Sequence, residues 1–125
     1  VNTVNIAVWI AQGLLAFVYL VAGGLKLVRS REQLAATGRL DWMKDNSDAV
    51  VRAVGAIEVL GALGVILPAA TGIAPILTPI AAVGLVIVQI GALRVHLTRN
   101  ERQPVPANVI LLLLAAFVAI GRFAS

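Results

Sequence analysis

The sequence predicts an all-α membrane protein: a four-transmembrane-helix bundle with a short interfacial helix between the first and second spans. Three observations carry this. Of 125 residues, 60% are hydrophobic and only 13% charged, whereas soluble domains carry about a quarter charged residues. The apolar residues gather into four runs, at about residues 4–28, 49–67, 73–96 and 105–123, each near the roughly 20 residues that a helix needs to cross hydrocarbon. The charges lie mainly between the runs. Backbone in lipid must satisfy its own polar groups, so the runs are expected as helices, and residues 1–125 as one domain.

The first run is expected as a retained span. No basic residue precedes it, and Lys26, Leu27 and Val28 follow where a cleaved signal would show small residues. The connection after it is charged. Residues 30–46 are expected as an interfacial segment: Ser30 to Gln33 has the capping-box pattern, Gly38 ends the short helix, and Leu40, Trp42 and Met43 offer an apolar edge. Asn46, Ser47 and Asp48 are suitable caps for the second run, which ends at Pro68. The link to the third run carries no charge, and Pro75 and Pro79 mark where that run starts. Arg99, Glu101, Arg102, Pro104 and Pro106 separate it from the fourth.

Positive charge sets the orientation. Lys26, Arg29, Arg31, Arg39, Lys44, Arg52, Arg94, Arg99 and Arg102 flank one side, nine against Arg122 alone on the other. The positive-inside rule therefore predicts a multi-pass protein of the bacterial cytoplasmic (inner) membrane with both termini outside. The same clustering at the ends of apolar runs matches anionic lipid headgroups and argues against nucleic acid as a partner.

Ionisable groups inside apolar runs are costly and therefore informative. Glu58 is the sharpest. It sits about 14 Å into the second run at 1.5 Å per residue, on a face formed by Val54, Gly55, Gly61 and Ala62. Small residues there allow another helix to come close. Glu58 is either a hydrogen-bonded strut or a proton-handling group. Gln12, Tyr19 and Lys26 recur at spacings of seven and share a stripe with Gly23. Lys26 either snorkels to the headgroups or reaches inward to Glu58. Gln89 and His96 are also seven apart. His96 is read first as an interfacial or structural histidine and second as a titrating group. In the fourth run, Ala115 and Ala119 continue the stripe of Asn108. Stacked by depth, Lys26, Arg52, His96 and Asn108 form one level near the basic edge, and Tyr19, Glu58 and Gln89 a deeper one. These seven are the candidate polar core or ligand-binding residues; Glu58, Lys26 and His96 are the candidate catalytic groups. Gly23, Gly55, Gly61 and Ala62 are the expected helix-packing positions, with Gly24 and Gly64 read the same way.

There is no cysteine and one histidine, so no metal site and no cofactor is expected within this chain. No phosphate-binding loop, dinucleotide fingerprint or serine triad is present.

The segment Ala22-Gly23-Gly24-Leu25-Lys26-Leu27, the block Arg52, Gly55, Glu58, Gly61-Ala62, Gly64 and Leu67-Pro68, then His96, Arg99, Glu101 and Asn108, together resemble the DoxX-like family of small bacterial four-helix membrane proteins. That family takes its name from a subunit of a thiosulfate-oxidising, quinone-reducing membrane enzyme. The resemblance implies the four-helix fold and a redox or respiratory setting in which quinone contact is possible. Some relatives carry cysteines and this chain has none, which argues against sulfur chemistry here.

The favoured expectation is a non-catalytic accessory or structural subunit of a larger membrane complex, in contact with lipids and with other membrane subunits or copies of itself. The alternative is a small membrane enzyme or carrier for a lipophilic ligand such as a quinone, with Glu58 handling protons. A transporter ranks last, since four helices suffice for one only as an oligomer.

Overall fold

The computed structural model describes residues 3–28, 48–102 and 104–124. These form five helices: α1 (Thr3–Val28), α2 (Asp48–Gly64), α3 (Leu67–Thr71), α4 (Leu77–Thr98) and α5 (Val105–Phe123). Four spans are long and apolar enough to cross a membrane: α1, α2 together with α3 (Ala49–Thr71), α4 and α5. The chain is thus a multi-pass, all-α membrane protein. The expected interfacial segment at 30–46, and the caps Asn46 and Ser47, fall outside the described residues.

The spans pack as a closed ring in the order α1, α2, α4, α5, with α5 returning to α1. The up-and-down path brings both ends of the chain to one end of the bundle, where Arg122 Nη1 donates to Asn5 Oδ1 at 2.7 Å. The centre is filled by Leu15 and Tyr19 of α1, Ala62 beside Val65, Leu85 of α4, and Ala115 and Val118 of α5. The outer face stays apolar: Phe17 is 69% exposed and Ile120 70%. In water such a surface would be a liability; in hydrocarbon it is the expected lipid contact.

Small residues let the helices touch. A Cβ on Gly23 would lie 2.6 Å from the Gly55 carbonyl oxygen, and a Cβ on Gly55 would lie 2.8 Å from the Gly23 oxygen. The α1 and α2 backbones therefore meet directly at this pair. Gly61 receives Leu85, whose Cδ2 would be 2.5 Å from an added Cβ, and Gly64 receives Ala81 at 2.7 Å. Ala62 is buried. Gly24 is a correction: nothing approaches its added Cβ within 4 Å, so it is not a packing position.

The second span departs from the expected single helix ending at Pro68. α2 stops at Gly64, and α3 begins at Leu67 with Pro68 in its first turn. The cause is local. Pro68 has no N–H to donate to the Gly64 carbonyl, four residues back. Thr78 of α4 replaces it: its hydroxyl donates to the Gly64 oxygen at 3.1 Å and accepts from the Ala69 N–H at 3.1 Å. Gln12 of α1 donates from Nε2 to the neighbouring Val65 oxygen at 2.6 Å. Two flanking helices thus stitch the break, as lipid-depth backbone requires. Arg122 in turn donates from Nε to Gln12 Oε1 at 2.8 Å, and its guanidinium lies 5.0 Å from the Trp9 ring centre.

The third span starts at Leu77, later than the expected residue 73. Gly72, at φ +72°, closes α3 by donating its N–H to the Pro68 oxygen. Pro79 then falls in the first turn of α4, where a missing N–H is tolerated.

Candidate functional site

At the opposite end of the bundle from Arg122, the ring opens into a cavity of about 460 Å³. Its walls are largely apolar, from residues such as Ile57, Ile87, Val88 and Leu111. Its polar groups come from all four spans: Tyr19 and Lys26 of α1, Glu58 of α2, Gln89 and His96 of α4, and Asn108 of α5. Helical phase explains the gathering. Residues seven apart on a helix return to nearly the same face, so Tyr19 and Lys26, and likewise Gln89 and His96, point the same way at two depths.

Lys26 and Glu58 form an ion pair, Nζ to Oε1 2.8 Å, with side chains only 9% and 8% exposed. Lys26 therefore reaches inward, and the snorkelling alternative is set aside. The Gly23–Gly55 contact makes this possible, because it brings the two backbones close enough for both short reaches. The ammonium also lies 3.5 Å from the Ala22 carbonyl. Two charges this well buried hold each other in place: removing either leaves the other unpaired in a low-dielectric setting.

Deeper in, Gln89 donates from Nε2 to the Tyr19 hydroxyl in a short hydrogen bond. Gln89 Oε1 and Asn108 Nδ2 are buried with no hydrogen-bond partner among the described residues. Buried polar atoms of this kind are uncommon, and each calls for an explanation.

His96 lines the cavity beside Lys26 and Asn108. Its Nδ1 lies 3.0 Å from Glu101 Oε1, which also accepts from Arg99 Nε at 3.2 Å. The end of α4 creates that pairing. Asn100 takes a left-handed conformation, φ +57°, and the Glu101 N–H closes back onto the His96 carbonyl at 2.8 Å. Asn accepts this conformation more readily than most residues, which suits it to a helix C-terminus. Glu101 is consequently folded beneath His96.

Of the seven expected polar-core residues, the structure brings six together. Arg52 is the correction: it is exposed, does not line the cavity, and donates to the Leu27 carbonyl. Its phase accounts for this. Six residues at about 100° each carry it roughly 120° around the helix from Glu58. Two partners were missed. Thr78 is fully buried at the stitched break, and it lies 18 residues before His96, five helical turns and so on the same stripe. Glu101 was read as a loop charge and part of the family pattern, not as a partner of His96; that contact depends on the Asn100 turn. Among the described residues, no three His, Cys, Asp or Glu side chains gather as a metal site.

The fold and the cavity define a polytopic four-span membrane protein whose interior holds an ion pair and a mostly apolar pocket with a polar end. The chain belongs to the DoxX-like family, whose sequence pattern matches residues 10–118. No curated protein and no solved structure matches it.

Proposed function

We propose that this chain is a membrane subunit that binds the head of a lipophilic, quinone-class molecule, in its quinone or hydroquinone state, and serves a larger redox or respiratory assembly. The observation that carries this is the cavity: about 460 Å³, walled by apolar side chains and headed by Lys26, Glu58, Gln89, His96 and Asn108. Its volume falls in the range of small-molecule sites, which are mostly apolar with a few convergent polar groups. Gln89 and Asn108, which line it, each carry a buried amide atom without a partner among the described residues.

In this reading Glu58 is the proton-handling group. Interconverting a quinone and its hydroquinone moves protons as well as electrons, and a redox partner subunit exchanges the electrons. Lys26 holds Glu58 in position, and the His96–Glu101 pair links the cavity to the basic face. The excess of Lys and Arg on that face supports its placement in the cytoplasm of a bacterium, with the protein in the inner membrane and both termini outside. The chain's small aqueous surface and wide apolar exterior support partners within the membrane, either other subunits or further copies.

Two measurements test this. Purified protein in lipid nanodiscs is expected to bind a labelled decyl-benzoquinone, in one redox state or the other, saturably at about one site per chain. Loss of saturable binding in an Ile57→Trp variant, which fills the cavity from its wall, is the expected control. Absence of saturable binding in both redox states overturns the ligand reading. Gentle solubilisation followed by mass analysis is expected to recover a heteromeric assembly; a lone chain with no partner overturns the subunit reading.

A further inference from the structure

A residue that lines a closed interior cavity has to share the inward face of its helix. Two lining positions on α4 do not. Ile87 and Gly91 lie two residues before and two after Gln89, each about 200° around the helix from it. Ile87 is 64% exposed, and Gly91 is exposed as well. On α2, Ile57 adjoins Glu58, about 100° away; it lines the same cavity and is 53% exposed. The cavity therefore continues past the inward faces, as a cleft between α2 and α4 bordered by Val54, Ile57, Ile87, Gly91 and Val95.

The packing explains its place. α2 and α4 approach closely where Gly61 receives Leu85 and Gly64 receives Ala81, and Thr78 bonds the Gly64 oxygen there. These contacts lie toward the Arg122 end. Nearer the basic end, Gly91 offers no side chain, and an added Cβ would meet nothing within 4 Å. Ile57 stands nine residues from the start of α2 and Ile87 eleven from the end of α4, about 14 Å and 16 Å along their helices. In spans that cross a hydrocarbon core about 30 Å thick, the mouth opens onto acyl chains, and all five of its bordering residues are apolar.

We infer that this cleft is a lateral portal and tail groove: the ligand enters from the bilayer between α2 and α4, and its hydrocarbon tail lies between Ile57 and Ile87 while its head occupies the cavity. This rests on the quinone-class reading above and adds the entry route and the tail site. The occupant follows from the surroundings, since an apolar opening at this depth has hydrocarbon chains as its neighbours.

The test uses a benzoquinone with a diazirine midway along its alkyl tail, photolysed with the protein in lipid nanodiscs, with and without excess decyl-benzoquinone. Mass mapping is expected to find competed adducts on α2 and α4 around Ile57 and Ile87. This labelling uses the unaltered chain and stands whether or not any variant folds. Gly91→Trp, which fills the mouth from the lipid side, is expected to slow association of decyl-benzoquinone about tenfold. Leu113→Trp, on the exposed face of α5, should leave the rate unchanged. Competed adducts confined to other walls, such as Val18 and Leu111, or an unchanged rate in a folded Gly91→Trp variant, overturn the portal and leave the quinone-class reading in place. A chain-to-chain disulfide through Gly91→Cys, in a chain with no cysteine of its own, would put a second copy in the cleft and also overturn the portal. No competed adduct anywhere overturns the quinone-class reading and the portal with it.

Discussion

Lys26 Nζ stands 2.8 Å from Glu58 Oε1 inside the bundle, the two residues flanking the point where Gly23 and Gly55 bring the antiparallel α1 and α2 into backbone contact. The two features are linked. An added Cβ at Gly55 would lie 2.7 Å from the Cβ of Lys26 itself, so any side chain there displaces the lysine as well as the helix. The glycines fix the separation, and the separation allows the ion pair to close under the cavity.

Breaking the pair from one side should be worse than replacing both partners. Lys26→Met leaves a buried carboxylate alone and is expected to destabilise by about 3–5 kcal/mol. Lys26→Met combined with Glu58→Gln is expected to recover much of that loss, as coupled partners are not additive. Thermal unfolding in detergent, followed by size-exclusion elution, reads both. A double variant as unstable as the summed singles would show that the pair is not coupled.

Glu58 variants separate strut from proton carrier. Glu58→Gln retains size and hydrogen-bonding capacity but takes the counter-charge from Lys26, so a folded protein of lower stability with ligand still bound is expected. Proton exchange with the ligand should be lost, because an amide does not titrate. Glu58→Leu should damage stability as well. If the Gln variant supports wild-type turnover in the intact assembly, Glu58 handles no proton.

Glycine substitutions should differ in sign. At Gly24 there is open space, so Gly24→Ala is expected to be neutral or to stabilise by up to about 1 kcal/mol through helix propensity. Gly55→Ala meets backbone and is expected to cost about 1–3 kcal/mol. Gly61→Leu should likewise disturb the fold more than Leu60→Ala, since Leu60 is 68% exposed to lipid. Melting temperatures of the four variants decide it, and a destabilising Gly24→Ala with a silent Gly55→Ala would reverse the assignment.

The stitched break supplies a fourth test. Thr78→Val keeps the shape but removes the hydroxyl between the Gly64 oxygen and the Ala69 N–H. It is expected to cost about 1–3 kcal/mol for each group left unpaired. Thr78→Ser should cost much less. Equal stability of Val and Thr at this position would mean the hydroxyl is not needed there.

Membrane orientation is testable apart from any ligand. A C-terminal alkaline phosphatase fusion is expected to be active and a C-terminal green fluorescent fusion dark, as both termini are proposed outside. The reverse pattern would invert the bundle and place the cavity on the other face.

The spans were legible because length and apolarity follow directly from what lipid demands of a backbone. The polar stripes were legible because a spacing of seven returns to one helical face: Tyr19 with Lys26, and Gln89 with His96, all reach the cavity. What sequence reasoning missed depended on partners. Pro68 signals the end of a helix, yet here Thr78 and Gln12 supply the lost hydrogen bonds and the span resumes as α3. Arg52 was grouped with Glu58 by depth, while its helical phase points elsewhere. Glu101 reaches His96 only through the left-handed Asn100 turn, and nothing in local composition announces that contact. Most of the cavity's polar lining was legible, but its volume was not, since a void is a property of the assembled walls.

The broken second span also has a consequence in time. Its donor from α1, Gln12, lies 53 residues upstream of Val65 and is already synthesised when the break emerges. Its donor from α4, Thr78, lies 14 residues downstream of Gly64 and does not yet exist outside the ribosome at that moment. Until Thr78 is made, the Gly64 carbonyl has to find its hydrogen elsewhere, from water or from a local adjustment of the helix. The second span's polar backbone is complete only once the third span has packed beside it.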